Sequence, residues 1–529
     1  MPEPFLVSRR RILQLGVGGV GLATFGPLLA ACSASDGSPP GSSSTGTPKK
    51  GGTLQYARTT GPTSLDPHGT ILAGDVYTLN QIFEPLYVTA VDGSLRPHLA
   101  TGHTVSADGR TYTFTIRPNV TFSDGSPLTA ADVVYSLKRA QSGKGPLSFL
   151  DGVISSVTAA GDSSVVVELT QAWSPFLSDV SAFSNSIVPN NLRGKPADEF
   201  FAKPVGTGPF TLESWVKGGT VTLAANPRYW NTARPYLDKV VFTVVEDENQ
   251  LIQQLQAGQV DVIDNVPPAN VSSLSSAAGV SVVKSSQWSV DLLLLNAQSK
   301  PFADLHVRRA VARAVDRAQI VKATTFGTAE VARSFFPSSL QYYDAATKVL
   351  DYDLSAARSE LAQSAYPNGF SAQLLVPSSN QAWNQAAQII QASLKQVGVT
   401  VSINSIEEAA YKAAFQKFDF DMFIDIAIND ISDPDEMASF ELDETNGGSN
   451  SYWTHYSDPA TTALVRQAET EQDSAKRQGL YSQIQQKVAD NVPFVPLSYP
   501  ASLKGLRSGV QGFKVNPAGA VRLEEVWLA

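Results

Sequence analysis

The sequence predicts an α/β protein of more than one lobe, and three observations predict it. Half-buried strands alternate with amphipathic helices along the chain after residue 50. The 529 residues are too many for one ordinary hydrophobic core. Hydrophobic residues at 43% against charged residues at 17% describe a chain that folds, which excludes global disorder.

The elements follow in order. Tyr112, Phe114 and Ile116 alternate with Thr111, Thr113 and Thr115 as a half-buried strand. Asp124-Gly125-Ser126-Pro127 is a turn, and Thr129, three residues before Asp132, opens a helix with Val133 and Leu137 one turn apart. Leu251 to Ala257 reads as a helix closed by Gly258, and Val260-Asp261-Val262-Ile263 returns as a strand. The apolar run Leu292 to Leu295 fits a strand covered on both faces. One helix is expected from about Leu305 to Ala323, with Val307, Val311, Ala314, Val315 and Ala318 inward. Its Arg308, Arg309, Arg313 and Arg317 read as a solvated basic face.

Trp383, Ala387, Ile390, Leu394 and Val397 form a helical stripe ended by Gly398, and the strand Val399, Val401, Ile403 follows. Met422, Ile424, Ile426 and Ile428 alternate as a strand that breaks at Asn429-Asp430-Ile431-Ser432. Asp433-Pro434-Asp435-Glu436 then reads as a helix start, with Asp433 as cap and Pro434 in the first helical position. A late helix carries Leu480, Ile484 and Val488.

The amino terminus reads as an address. Ser8-Arg9-Arg10-Arg11-Ile12-Leu13 is a twin-arginine n-region, and an apolar, Gly-rich stretch follows it to Leu29-Ala30-Ala31-Cys32. Small residues before a Cys resemble the lipobox of bacterial lipoproteins, in which the Cys is lipidated and becomes the mature terminus. Gly16 to Gly21 matches a dinucleotide-binding Gly pattern but opens no βαβ unit. Removal of residues 1–31, with three Arg and one Glu, takes the net charge from −9 to −11. Residues 32–50, rich in Ser, Gly, Pro and Thr, read as a lipidated flexible tether.

Several function classes drop out. The acidic balance and pI near 5.2 argue against a nucleic-acid binder. A lone Cys excludes an intramolecular disulfide framework, and five scattered His residues offer no metal pair at helical spacing. His68 could be a nickel or haem ligand, but a turn residue is the simpler reading. No nucleophile elbow, phosphate loop or zinc-protease motif is present, so no cofactor, metal or catalytic residue is expected.

Linked motifs then carry a resemblance. Ser64-Leu65-Asp66-Pro67, Ile82-Phe83-Glu84-Pro85-Leu86 and Leu95-Arg96-Pro97-His98-Leu99-Ala100 stand in the first part of the chain. Phe122-Ser123-Asp124-Gly125, Val205-Gly206-Thr207-Gly208-Pro209-Phe210 and Asn226-Pro227-Arg228-Tyr229-Trp230 follow. In order and spacing, residues 50–529 resemble the family 5 extracellular solute-binding proteins, the peptide/nickel/opine class of bacterial ATP-driven importers. The resemblance implies a two-lobed periplasmic-binding-protein-like fold of type II, with an extra subdomain in the first lobe. It places lobe I at 51–288 with an insertion near 90–205, lobe II at 289–491, and a return to lobe I at 492–529. It implies a monomer, held at the membrane through Cys32, that hands a small solute, a peptide first of all, to permease subunits. It puts the protein on the outer face of the cytoplasmic membrane or in the periplasm. An oligosaccharide, nickel chelate, opine or haem remains open as ligand, and a secreted hydrolase as the enzymatic alternative.

For the site, Asp430 lies just past a strand's carboxyl end, where open α/β sheets place ligands. In peptide-binding members the Asp three residues before this Asp-Pro pair holds the ligand's amino group, and Asp430 matches it. Asn429 adjoins it. Tyr411 stands where members often carry a Trp, and Trp383 and Trp288 sit near the expected cleft or hinge. Asn380 and Tyr499 complete the expected ligand-binding set. Ala427 replaces an aromatic, and no Arg stands near Ser378-Ser379-Asn380-Gln381 to pair a dipeptide's carboxylate.

Overall fold

The computed structural model describes residues 46–142, 145–443 and 454–529. The twin-arginine segment, Cys32 and most of the tether lie outside the described residues. Among the described residues, no helix is long and apolar enough to cross a membrane.

Two mixed sheets organise the body. The first has seven strands in the order 280–286, 501–507, 262–263, 53–58, 239–244, 221–225 and 210–215. Thr53–Arg58 at its centre runs parallel to Lys239–Val244 and to Val262–Ile263. The second has six strands in the order 330–331, 494–499, 289–295, 422–428, 371–377 and 400–406. A separate antiparallel sheet of four strands, between residues 100 and 169, packs on the helix Ala130–Gln141 with its own apolar core.

The chain passes between the two large sheets twice. Val280–Ser286 of the first continues into Ser289–Leu295 of the second, and Phe494–Tyr499 of the second continues into Ala501–Arg507 of the first. The two crossings lie side by side, since Ser286 pairs with Ala501 and Asp291 with Ser498. They are Gln287-Trp288 and Pro500, short and without ladder partners, as a hinge requires. This corrects the expected return at 492. The segment 494–499 is still hydrogen-bonded inside the second sheet, and the crossing waits for Pro500.

Leu293 and Leu295 enter the apolar cluster on one face of the second sheet, and Leu292 and Leu294 the cluster on the other. Both faces are covered, which is why this strand reads as an unbroken apolar run. Thr129 opens its helix as expected, its N–H donating to the Asp132 carboxylate at 2.8 Å.

Two expectations need correction. The helix from 305 to 323 is two helices, Leu305–Ala314 and Arg317–Thr325, because the Asp316 side chain accepts from the Gln319 N–H and caps a second start. Its arginines are not a simple solvated face. Arg308 and Arg309 donate to the carbonyls of Asn491 and Asp490, the end of the helix Ser474–Asn491, and Arg317 is buried and donates to the Ala332 and Leu350 carbonyls.

Candidate functional site

Beside the hinge lies a cavity of about 260 Å³, at the small end of the range for ligand pockets. The first sheet's side supplies most of its wall, with Ile71 before the helix Ala73–Ile82, Tyr77 and Asn80 on that helix, and Arg522 near the carboxyl terminus. Phe183 comes from the segment after the four-stranded sheet. The second sheet contributes Ile428 and Asp430. The cavity is therefore shared between the two lobes, as a site closed by lobe motion must be.

The strand Met422–Ile428 delivers Asp430 to it. Ser289–Leu295 pairs along its whole length on one edge, whereas Ser371–Pro377 pairs on the other edge only at Met422 and Phe423. From Ile424 onward that second edge has no strand partner among the described residues. Ile428, the last residue, is 56% exposed.

The turn after this strand is held from within. The buried Asn429 amide donates to the carbonyls of Ile431 and Asp433 and accepts from the Met437 N–H at 3.0 Å. The Glu436 carboxylate reaches back to the Asp430 N–H at 2.6 Å. Asp433 keeps the expected capping contact, its Oδ1 accepting from the Asp435 N–H at 3.1 Å. The helix begins at Asp435, and the Asp433 carboxylate takes a two-pronged ion pair from Arg477 at 2.6 and 3.0 Å.

These bonds fix the Asp430 backbone and leave its side chain unengaged. Among the described residues no donor reaches the Asp430 carboxylate, and burial pushes its pKa up to about 6. Burial, and Asp430 beside it, push Glu436 up as well. The other charges in the cavity have partners. Glu84 accepts from His98, Thr207, Tyr229 and Trp230 at 2.7 to 3.1 Å. Burial works to raise its pKa, but His98 and these donors leave it below the ordinary value. Arg522 pairs with Glu524.

The remaining residues expected at the site are placed as follows. Trp288 lines a second cavity of about 620 Å³ together with Gly93, Tyr342, Ser432, Asp433 and Arg477. Its indole N–H donates to the Ser339 carbonyl at 3.3 Å. Tyr411 is buried, with its hydroxyl on the Ile424 carbonyl at 2.8 Å. The Trp383 indole donates to Asp291, and the Asn380 side chain caps the helix Gln381–Lys395. The Tyr499 hydroxyl accepts from the Ser334 N–H and donates to the Ser334 carbonyl. Tyr411, Trp383, Asn380, Asn429 and Tyr499 do not line the cavity that holds Asp430. His68 sits buried in a turn between the Ser186 carbonyl and Arg139, and burial and Arg139 push it down to about 4.

Sequence reasoning missed the first lobe's wall. One signal for it existed in the turn before residue 73, where two adjacent apolar residues, Ile71 and Leu72, stand more than half exposed.

Comparison with known proteins accords with this geometry. The family model of bacterial extracellular solute-binding proteins, family 5, matches residues 94–449. The dipeptide-binding protein of Escherichia coli strain K12 is 27% identical over 510 residues, covering 90% of this chain and 94% of its own. A periplasmic binding protein of Helicobacter pylori, associated with an ABC transporter and solved with the peptide STSA, is 27% identical. It superposes with a TM-score of 0.78, covering 91% of this chain and 98% of its own. The oligopeptide-binding protein AppA of Bacillus subtilis, solved with a nonapeptide, is 26% identical with a TM-score of 0.77, covering 91% of this chain and 100% of its own.

Proposed function

This chain belongs to the bacterial extracellular solute-binding proteins of family 5, and we propose that it captures a peptide between its lobes and delivers it to an ATP-driven importer. The observation that carries the proposal is the Asp430 carboxyl, the one charged group of the interlobe cavity without a protein partner among the described residues. A peptide's terminal ammonium supplies the missing partner, and a charge-assisted hydrogen bond of this kind is worth about 1.5–3 kcal/mol. The unpaired edge from Ile424 to Ile428 adds a second reason, because an extended peptide can hydrogen-bond along it as an added strand. The peptides bound by the Helicobacter pylori and Bacillus subtilis relatives support the same choice.

In this reading the protein performs no chemistry. Closure about Gln287-Trp288 and Pro500 excludes water from the cavity and strengthens the contact to Asp430. The cavity has no unpaired cation for a ligand carboxylate among the described residues, which favours peptides whose carboxyl end lies outside it. Lipidation at Cys32 after twin-arginine export would keep the body at the membrane beside its permease, as a monomer. Calorimetric titration of trialanine and of an uncharged trisaccharide against the full chain tests the proposal. Peptide binding with heat and contraction of the scattering profile is expected; binding of the sugar alone overturns it.

A further inference from the structure

The lobes meet a second time, where residues 147–185 of the four-stranded unit seat on the second lobe. Leu147, Leu150 and Ala182 enclose Ile431, and the rings of Phe149 and Phe440 lie 6.4 Å apart. The hydroxyls of Ser178 and Ser432 share a hydrogen bond of 2.8 Å, and the Ser174 N–H donates to the Glu469 carbonyl at 2.8 Å.

Like charges converge at this seam. The first lobe brings Asp151, 0% exposed, and Asp179, 2% exposed. The second brings Asp433, Asp435, Glu436 and Glu469, all buried. Two arginines answer them. Arg477 pairs with Asp433, and Arg466 with Glu469 and Asp443. No cation pairs with Asp151, Asp179, Asp435 or Glu436 among the described residues, and no group there is arranged to hold a metal ion. The other facing groups are neutral donors and rings. The Trp173 indole donates to Asp179 at 2.9 Å, the Tyr112 hydroxyl donates to the Trp173 carbonyl at 3.3 Å, and Tyr342 and Tyr481 flank Arg477.

Both oxygens of Asp151 lack a hydrogen-bond partner, as do Oδ1 of Asp435 and Oδ1 of Asn185, the neighbour of Asp151. The Asn185 amide nitrogen donates one of its two N–H groups to the Asp179 carbonyl at 2.9 Å, and the pull of its side chain on Asp151 works against the rise that burial causes.

We propose that closure of the lobes takes up protons on Asp151 and Asp179, so that these two residues, which touch no ligand, set how strongly the closed state is held as pH changes. The idea rests on the reading of this protein as a two-lobed binder, but not on the identity of the ligand. Burial pushes Asp151 up to about 7. Burial, with Asp433 and Asp151 as neighbours and the Trp173 bond opposing, pushes Asp179 well above the carboxylate range. Opening the seam returns both to water and to ordinary values. A group raised in the closed state favours closure at low pH, and the effect is lost as pH rises through its closed-state value. Asp151 alone then makes closure about tenfold more favourable at pH 6 than at pH 8. Asp430, which must be ionised to hold an amine and titrates near 6, opposes this by about twofold at pH 6.

The test compares the full chain with Asp151→Asn and Asp179→Asn, each of which imitates the protonated carboxyl. Trialanine should bind the wild type at least about fivefold more tightly at pH 6 than at pH 8, Asp179 adding to the contribution of Asp151. Each Asn variant should bind more tightly than wild type at pH 8 and show a flattened profile, a gain that damage to the fold does not produce. Affinities and pH profiles equal to wild type in both variants would overturn the inference. If trialanine does not bind at all, the peptide reading fails and small-angle scattering of the ligand-free chain decides this one. A smaller radius of gyration at pH 6 than at pH 8, with both variants small at either pH, supports it; radii independent of pH and of substitution refute it.

Discussion

Two carboxyl groups face the interlobe cavity from opposite lobes, and they have been built in opposite ways. Glu84, 3% exposed, receives hydrogen bonds from four side chains and stays ionised in spite of burial. Asp430 receives none, and burial pushes it toward the neutral form. Both line the same cavity, Glu84 buried and Asp430 half-buried, but only Glu84 has partners. A buried carboxylate with its donors already present is part of the wall, whereas one held by its backbone and left without donors has its bonding capacity open to a group from outside.

The largest expected effect is on the wall. Glu84→Ala leaves His98, Thr207, Tyr229 and Trp230 facing a void and should cost about 3–5 kcal/mol in urea unfolding. Asp430→Ala should do the reverse, costing no stability in urea while weakening trialanine about ten- to a hundredfold. Loss of stability in the second variant comparable to the first would erase the distinction between the two carboxyls.

Acidity sharpens the contrast because the two groups shift in opposite directions. Glu84 lies below its ordinary value, so its contribution to stability is present above that value and fades as pH falls through the folded one. Asp430 lies above its ordinary value, so the fold bears an unfavourable charge above about pH 6. Asp430→Asn should therefore be more stable than wild type by up to about 3 kcal/mol at pH 8, the gain vanishing near pH 4. Denaturation profiles at the two pH values measure it. The smallest effect belongs to Ile428, whose exposed side chain lines the cavity. Ile428→Ala should weaken trialanine about threefold, without a change in the urea midpoint.

Local patterns made Asp430 legible. The alternation from Met422 to Ile428, the polar break and the helix start after Pro434 left it no structural task, and the structure finds none for its side chain. The same stretch showed only half of the role of Asp433, because its second partner, Arg477, stands 44 residues away and no local pattern reveals such an ion pair. Glu84 was unreadable for the same reason, its donors lying at positions 98, 207, 229 and 230. Aromatic residue type was a weak guide to the cavity. Trp383, Tyr411 and Tyr499 find hydrogen-bond partners inside the second lobe, and nothing in a sequence distinguishes a satisfied hydroxyl or indole from a free one. The break between residues 314 and 317 was hidden by an apolar stripe that runs across both helices, although Asp316 marked the second start.

The charge at Asp430 is tested most directly by titration of paired ligands. Trialanine and N-acetyl-trialanine differ by the ammonium alone and are to be titrated by calorimetry into wild type and Asp430→Ala at pH 7.5. Wild type should prefer the free amine by about ten- to a hundredfold, and the variant should bind the two peptides equally. A variant that keeps the full preference for trialanine would place the ammonium elsewhere and contradict the account.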